Sequence, residues 1–330
     1  MEAAWADFSA WAGGVERAVV GVLNPGFDYD ARATKGWPMT SLAEALVATG
    51  VYAAIVGVGL IKKSMSKGEG AGAGEEGGAA GGKKESLGAA FARQPIQRPL
   101  QVVYNLAQVV LCSWMMTAAA SEAYNQGYSL ICNRFDATSS RMAAVEWVFY
   151  VSKVRLLLAA VRARTVSHTV SRHTPTVHQI LDFVDTVFIV ASGSWNRFSF
   201  LHIYHHFSIF LTYWALTVAA YDGDIYYTIV ANSFVHVVMY FYYLMTTLKV
   251  PVPKIIGASV TKLQMLQFLT MNAQAIYILF NDCPFPRNVT IFYLAYIISL
   301  FILFAYFDSV RWGKGGKGGK AGKGKAEKQA

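Results

Sequence analysis

His202, His205 and His206 open an apolar run, and they account for three of the chain's seven histidines within five positions. Near neutral pH imidazole can act as base, acid, nucleophile or metal ligand, so such a cluster marks a place where chemistry is done. On a helix the spacing i, i+3, i+4 sets the three rings on one face. A second imidazole lies in the segment from Asn232 to Tyr243, where Asn232, His236, Met239 or Tyr240, and Tyr243 recur at helical spacing and form one stripe. Packing at an interface belt accounts for the tyrosines. It accounts less well for Asn232 and His236, because polar groups deep in a span are expensive. Thr261, Gln264 and Gln267 follow at i, i+3 and i+6, a pattern that also suits simple hydrogen bonding between helices.

The elements that must hold these residues are membrane helices. The chain has 330 residues, 54% of them hydrophobic, and a mean hydropathy of +0.34, too apolar for an ordinary soluble domain. Runs of spanning length stand at about 43–61, 100–120, 203–221, 225–247, 255–280 and 289–309, with a disturbed one near 142–191. The expected fold is an all-α integral membrane protein with seven transmembrane helices over 43–309. Residues 1–42 form a non-cytosolic N-terminal segment without the apolar core of a cleavable signal.

The net charge of +9 sits in appendages: the tail after Trp312 contributes +5, residues 154–179 contribute +4, and the remainder is neutral. Nucleic acid is therefore not an expected partner, since that would call for a basic folded face. Lys62, Lys63, Lys67, Lys83, Lys84, Arg93 and Arg98 lie between the first two spans, whereas the loops near 222–224 and 281–288 carry Asp222, Asp224, Asp282 and Arg287. The positive-inside rule places the first loop and the C-terminus in the cytosol. Cys132 and Cys283 then fall on the same non-cytosolic side, where a disulfide and two separate thiols are both compatible with the sequence. The sequon at Asn288 abuts the last span too closely to be modified.

Residues 67–86 are nearly all Gly, Ala, Glu and Lys and read as a flexible linker. The lysine-rich stretch 310–330 reads as a disordered cytosolic tail, suited to touching anionic headgroups. Residues 154–179 are anomalous. The apolar segments on either side are each too short to cross a bilayer, but 142–153 joined to 180–191 gives 24 residues, a proper span. The join also puts Lys153, Asp182 and Asp185 at intervals of three on one face, followed by Thr186. The segment is thus a retained intron, a lineage-specific insert or a genuine loop. His168, His173 and His178 inside it are discounted as catalytic.

Taken together, the box at 202–206, the Asn232–Tyr243 segment, the T-x-x-Q-x-x-Q of Thr261 to Gln267, and the rejoined K-x-x-D-x-x-D-T resemble the fatty-acid elongase family, the membrane 3-ketoacyl-CoA synthases. Asp182 stands where Glu is commoner in that family. Phe200-Leu201-His202-Ile203-Tyr204 resembles the branch that elongates polyunsaturated chains. The likeness runs from about Tyr104 to Phe307, outside 154–179.

The resemblance implies seven helices around an acyl-chain tunnel in the endoplasmic reticulum membrane. It implies condensation of a long-chain, polyunsaturated acyl-CoA with malonyl-CoA, giving a 3-ketoacyl-CoA two carbons longer, CO2 and CoA. No cofactor or metal is expected beyond these substrates, and the partners are the bilayer and the reductase and dehydratase of the cycle. His205 would accept the acyl group, and His236 with Asn232 would steer the malonyl unit or stabilise its enolate. His202 and His206 would orient His205, and Asp182 and Asp185 would fix imidazole tautomers. Lys153, Tyr240, Tyr243, Gln264 and Gln267 would bind substrate or CoA. The alternatives are an elongase of saturated or monounsaturated chains, or a di-iron desaturase or hydroxylase. The latter needs about eight histidine ligands, and four histidines remain outside 154–179.

Overall fold

The computed structural model describes residues 2–71, 97–152, 186–187, 189–190, 193, 195 and 197–313, and every regular element among them is helical. Helix α1 is Glu2–Leu23, α2 Leu42–Ala71, α3 Gln97–Asn125, α4 Ser140–Val151, α5 Phe200–Ala219, α6 Ile225–Thr247, α7 Lys254–Phe280 and α8 Arg287–Gly313. Four of them, α2, α3, α6 and α8, are long and apolar enough to cross a membrane. The runs expected at 203–221 and 255–280 are helical too, as α5 and α7, but fall outside that group. Three histidines in α5, and Lys262 with several amide side chains in α7, dilute their apolar character.

Contacts at the helix ends show that α2 to α8 alternate in direction. At one end the disulfide Cys132–Cys283 ties the α3–α4 loop to the α7–α8 loop. Beside it Asp222 Oδ2 accepts from the Tyr128 hydroxyl at 2.7 Å, and Asp224 Oδ1 accepts from Asn133 Nδ2 at 2.8 Å. Burial pushes both aspartates above the ordinary carboxylate range, against the pull of those donors. At the opposite end Lys63 Nζ donates to Phe198 O at 3.0 Å and Arg98 Nε to Thr247 O at 3.0 Å. Lys63 and Arg98 thus stand at the end opposite the cystine.

The closest pairing is α3 against α6, antiparallel from Arg98 and Thr247 at one end to Tyr128 and Tyr226, 5.7 Å apart, at the other. Around α5 the core is aromatic: Phe210 stacks on Tyr150 at 5.2 Å and Tyr213 meets Phe149 edge-on at 4.8 Å. Such pairs add about 1 kcal/mol each beyond the area they bury.

Helix α1 was not expected within 1–42. It packs on α2, α5 and α8 at the cystine end, where Asn24 Nδ2 donates to Ala219 O at 2.8 Å. Its anchor is Glu16, 2% exposed, which accepts from the Tyr29 hydroxyl at 2.6 Å and the Leu42 amide at 2.8 Å and pairs with Arg32 at 3.2 Å. The Arg32 guanidinium also lies 3.8 Å from the Tyr29 ring centre. Removing one member of a buried pair leaves the other charge stranded, at about 3–5 kcal/mol. Glu16→Ala should therefore lower stability by that amount, read as a fall in the melting temperature of the purified chain. An unchanged melting temperature would show that the pair anchors nothing.

Two boundaries differ from expectation. Helix α2 runs to Ala71, into the expected linker 67–86, and α8 runs to Gly313, into the expected tail 310–330. Once nucleated in the apolar run, a helix propagates cheaply through the lysine-rich turn that follows. The rest of both segments, and 154–179 with the rejoined span, lie outside the described residues. At the sequon, Asn288 Nδ2 donates to Val22 O at 2.7 Å and Thr290 is 2% exposed, so both of its polar side chains are engaged.

Candidate functional site

Ser199 caps α5: its backbone is extended and its hydroxyl accepts from the His202 amide at 3.2 Å, so the histidine box occupies the first turns of the helix. The stretch before the cap is seated on α2. A Cβ on Gly59 would stand 2.8 Å from both the Phe198 ring and Val190, so only glycine lets this segment approach. Lys63 completes the seat through Phe198 O.

The three rings do not share one direction. His202 and His206 lie on one side of the helix with ring centres 4.4 Å apart and planes tilted by 56°. His205 stands edge-on to His206 at 5.2 Å and turns toward Phe304 of α8, 6.2 Å away. A helix turns about 100° per residue, so 205 and 206 diverge while 202 and 206 overlie each other. His202 Nε2 and Thr186 Oγ1 are 2.8 Å apart, a hydrogen bond whose donor depends on the imidazole tautomer. Thr186 is fully buried, the Tyr52 hydroxyl of α2 lies close to it, and the Tyr52 ring is 6.4 Å from His206.

On α6, His236 is 5.7 Å from Tyr240, which meets Tyr104 of α3 edge-on at 5.9 Å. Tyr243 adjoins Tyr240 at 6.1 Å but is 41% exposed, at the rim of the bundle. Asn232 is buried, and among the described residues its Oδ1 has no hydrogen-bond partner. On α7, Gln264 Nε2 donates to Met239 Sδ at 3.8 Å and Gln267 Nε2 to Met271 Sδ at 3.1 Å. A thioether is a weak acceptor, so both amides retain donor strength for something better.

These contacts join the two imidazole groups through the interior. Phe304, which faces His205, meets Phe268 of α7 at 5.1 Å. Gln264, one turn before Phe268, reaches Met239, which is one turn from His236. Lys153, Asp182 and Asp185 lie outside the described residues.

A family comparison bears on what this assembly belongs to. Residues 166–312 match the model of the ELO: GNS1/SUR4 family. The chain carries an ELO-family domain. The match begins inside 154–179 and takes in α5 to α8, hence both imidazole groups. Among curated relatives, human very long chain fatty acid elongase 4 is 31% identical over 222 residues, covering 65% of this chain and 62% of the relative. Very long chain fatty acid elongase 5 of Tachysurus fulvidraco is 28% identical over 220 residues, and elongase 2 of Mus musculus 27% over 215. These cover 65% and 64% of this chain, and 66% and 64% of the relatives. The chain thus spans a little under two thirds of the length of these relatives.

Sequence reasoning missed several buried side chains, two of them beside the histidine box. Thr186 closed a motif, and nothing singled it out as a partner of His202. Tyr52 gave no signal at all. Glu146 could have been found, because an acid inside an apolar run is a functional candidate by default. It is fully buried in α4 and accepts from Thr217 Oγ1 of α5 at 3.4 Å.

Proposed function

We propose that this chain condenses a long-chain acyl-CoA with malonyl-CoA in the endoplasmic reticulum membrane, as a very-long-chain 3-oxoacyl-CoA synthase of the polyunsaturated type. The observation that carries the reading is the pairing of a three-histidine helix start with a second, separate imidazole, His236, through a wall of aromatic and amide side chains. The names of the relatives point the same way, and Phe200 to Tyr204 favour polyunsaturated chains.

In this reading His205 attacks the acyl-CoA thioester, CoA leaves as its thiol, and the acyl group rests on the imidazole nitrogen. Malonyl-CoA then loses CO2. The electron pair released forms the enolate, whose carbon attacks the acyl carbonyl and expels the imidazole, which takes up a proton from water. His236 with Asn232 and the amides of Gln264 and Gln267 stabilise the enolate oxygen. His202, held by Thr186, and His206, held against Tyr52, orient His205, while Asp182, Asp185 and Lys153 complete that end of the site. The fold in this reading is a seven-span bundle, with 142–153 and 180–191 as the disturbed span, around a tunnel for the acyl chain. A reductase and a dehydratase take the product on.

Purified protein with residues 154–179 removed, supplied with malonyl-CoA labelled in its free carboxyl, should release labelled CO2 only when an acyl-CoA is present, with a 3-ketoacyl-CoA two carbons longer. Release that ignores acyl-CoA, or no release from a form with 154–179 removed, would refute the proposal.

A further inference from the structure

We propose that the outer groove between α6 and α7 binds an anionic phospholipid of the leaflet at the histidine end of the bundle. The groove is an open cavity of about 320 Å³ walled by Val238 of α6 and by Val260, Leu263 and Leu266 of α7, with Ser259 and Lys262 on its edge. That volume falls at the lower end of the range of ligand sites. Val260 forms its floor at 7% exposed, whereas Ile256 and Leu266 in its wall are 39% and 55% exposed, and Phe234, Phe241 and Ile255 beside it are 47%, 53% and 72% exposed.

Charge selects the occupant. From Ile225 to Asn281 the chain carries no Asp or Glu, whereas Lys249, Lys254 and Lys262 all lie in the half of that stretch toward the histidine end. A phosphate-bearing headgroup placed there meets cations on two helices that carry no carboxylate of their own, Asp308 of the neighbouring α8 being an acid at the same end, and the acyl chain has the aliphatic wall below. Basic pockets between spanning helices on the cytosolic side suit such headgroups. Gly257 shapes the upper end, because a Cβ there would stand 2.8 Å from the Tyr242 hydroxyl, so α6 and α7 touch at that level. The Tyr242 hydroxyl gives the headgroup a neutral donor near the lysines.

The test is native mass spectrometry of the full chain in detergent, titrated with phosphatidylserine and with phosphatidylcholine of the same acyl chains. One equivalent of phosphatidylserine should bind in preference. Lys262→Glu should weaken it about tenfold, as expected for reversing one charge at an anionic surface. Ser259→Trp, which fills the groove without changing charge, should weaken it as well. Both substitutions lie on the outer face, and elution and melting like the wild type confirm that each variant folds; Lys262→Gln replaces any that does not. Equal affinity for the two lipids, unchanged binding by the Lys262 variant, or displacement of phosphatidylserine by one equivalent of acyl-CoA would overturn the assignment. These readouts are independent of condensation activity, so their failure leaves the proposed reaction standing.

Discussion

In the form without residues 154–179, His205→Ala should abolish acyl-dependent release of CO2 from malonyl-CoA, with a loss of about a thousandfold or more, while the protein still folds. A positioned proton-transfer group alone contributes about 100- to 10,000-fold, and loss of the acyl acceptor removes the covalent step altogether. The geometry separates this residue from its neighbours. His206 is 8% exposed, with the His202 ring 4.4 Å and the Tyr52 ring 6.4 Å from its own. His202 is committed to Thr186. His205 alone turns to α8 and the wall that leads to His236.

The three alanine variants should therefore differ in kind. His205→Ala should form no acyl-enzyme, detected as the absence of labelled protein after incubation with labelled acyl-CoA. His202→Ala should still acylate, more slowly, and Thr186→Val should reproduce part of that effect by removing the hydroxyl that holds the ring. Normal condensation by His205→Ala would end the assignment. Equal losses in all three, with folding intact, would mean that the box acts as a unit and that no single ring carries the acyl group.

Much of this arrangement was legible in the sequence because it is local. Helical spacing placed His202, His205 and His206 on one face and gave the stripe from Asn232 to Tyr243; both segments are helical, but the three rings do not share one direction. What spacing could not give was the direction of each ring relative to neighbouring helices. That depends on packing among α2, α5, α7 and α8, and it is why His205 parts from His206. Nor could it give Tyr52, which is one tyrosine among eighteen until the fold brings it to Thr186. Helix α1 was missed for a related reason. It is held by the buried Glu16–Arg32 pair and the Tyr29 ring, contacts that no apolar period announces.

Deleting residues 154–179 should convert a chain with little or no condensing activity into one that elongates, a gain of about a hundredfold or more. A misplacement of about 1 Å at a catalytic group costs rates of that order, and the segment displaces an entire motif. Helix α4 ends at Val151 after twelve residues, with Met142, Val145, Phe149 and Val151 buried against the bundle. A helix that short covers about 18 Å, against about 30 Å of hydrocarbon. Thr186 meanwhile sits on His202. Excision leaves nine residue steps from Val151 to Thr186, about 13 Å of helix, and restores Lys153, Asp182, Asp185 and Thr186 to one face beside the imidazoles. With the segment translated, Gln179 stands where Lys153 would, and the site loses its cation. Yeast expressing each form, fed a panel of saturated and polyunsaturated fatty acids, gives the comparison through the lengthened products. Equal elongation by both forms would make 154–179 a genuine loop. Abundant messenger RNA containing its codons would remove the intron explanation, and the activity of the full-length chain would then decide between a tolerated insert and an inactive enzyme.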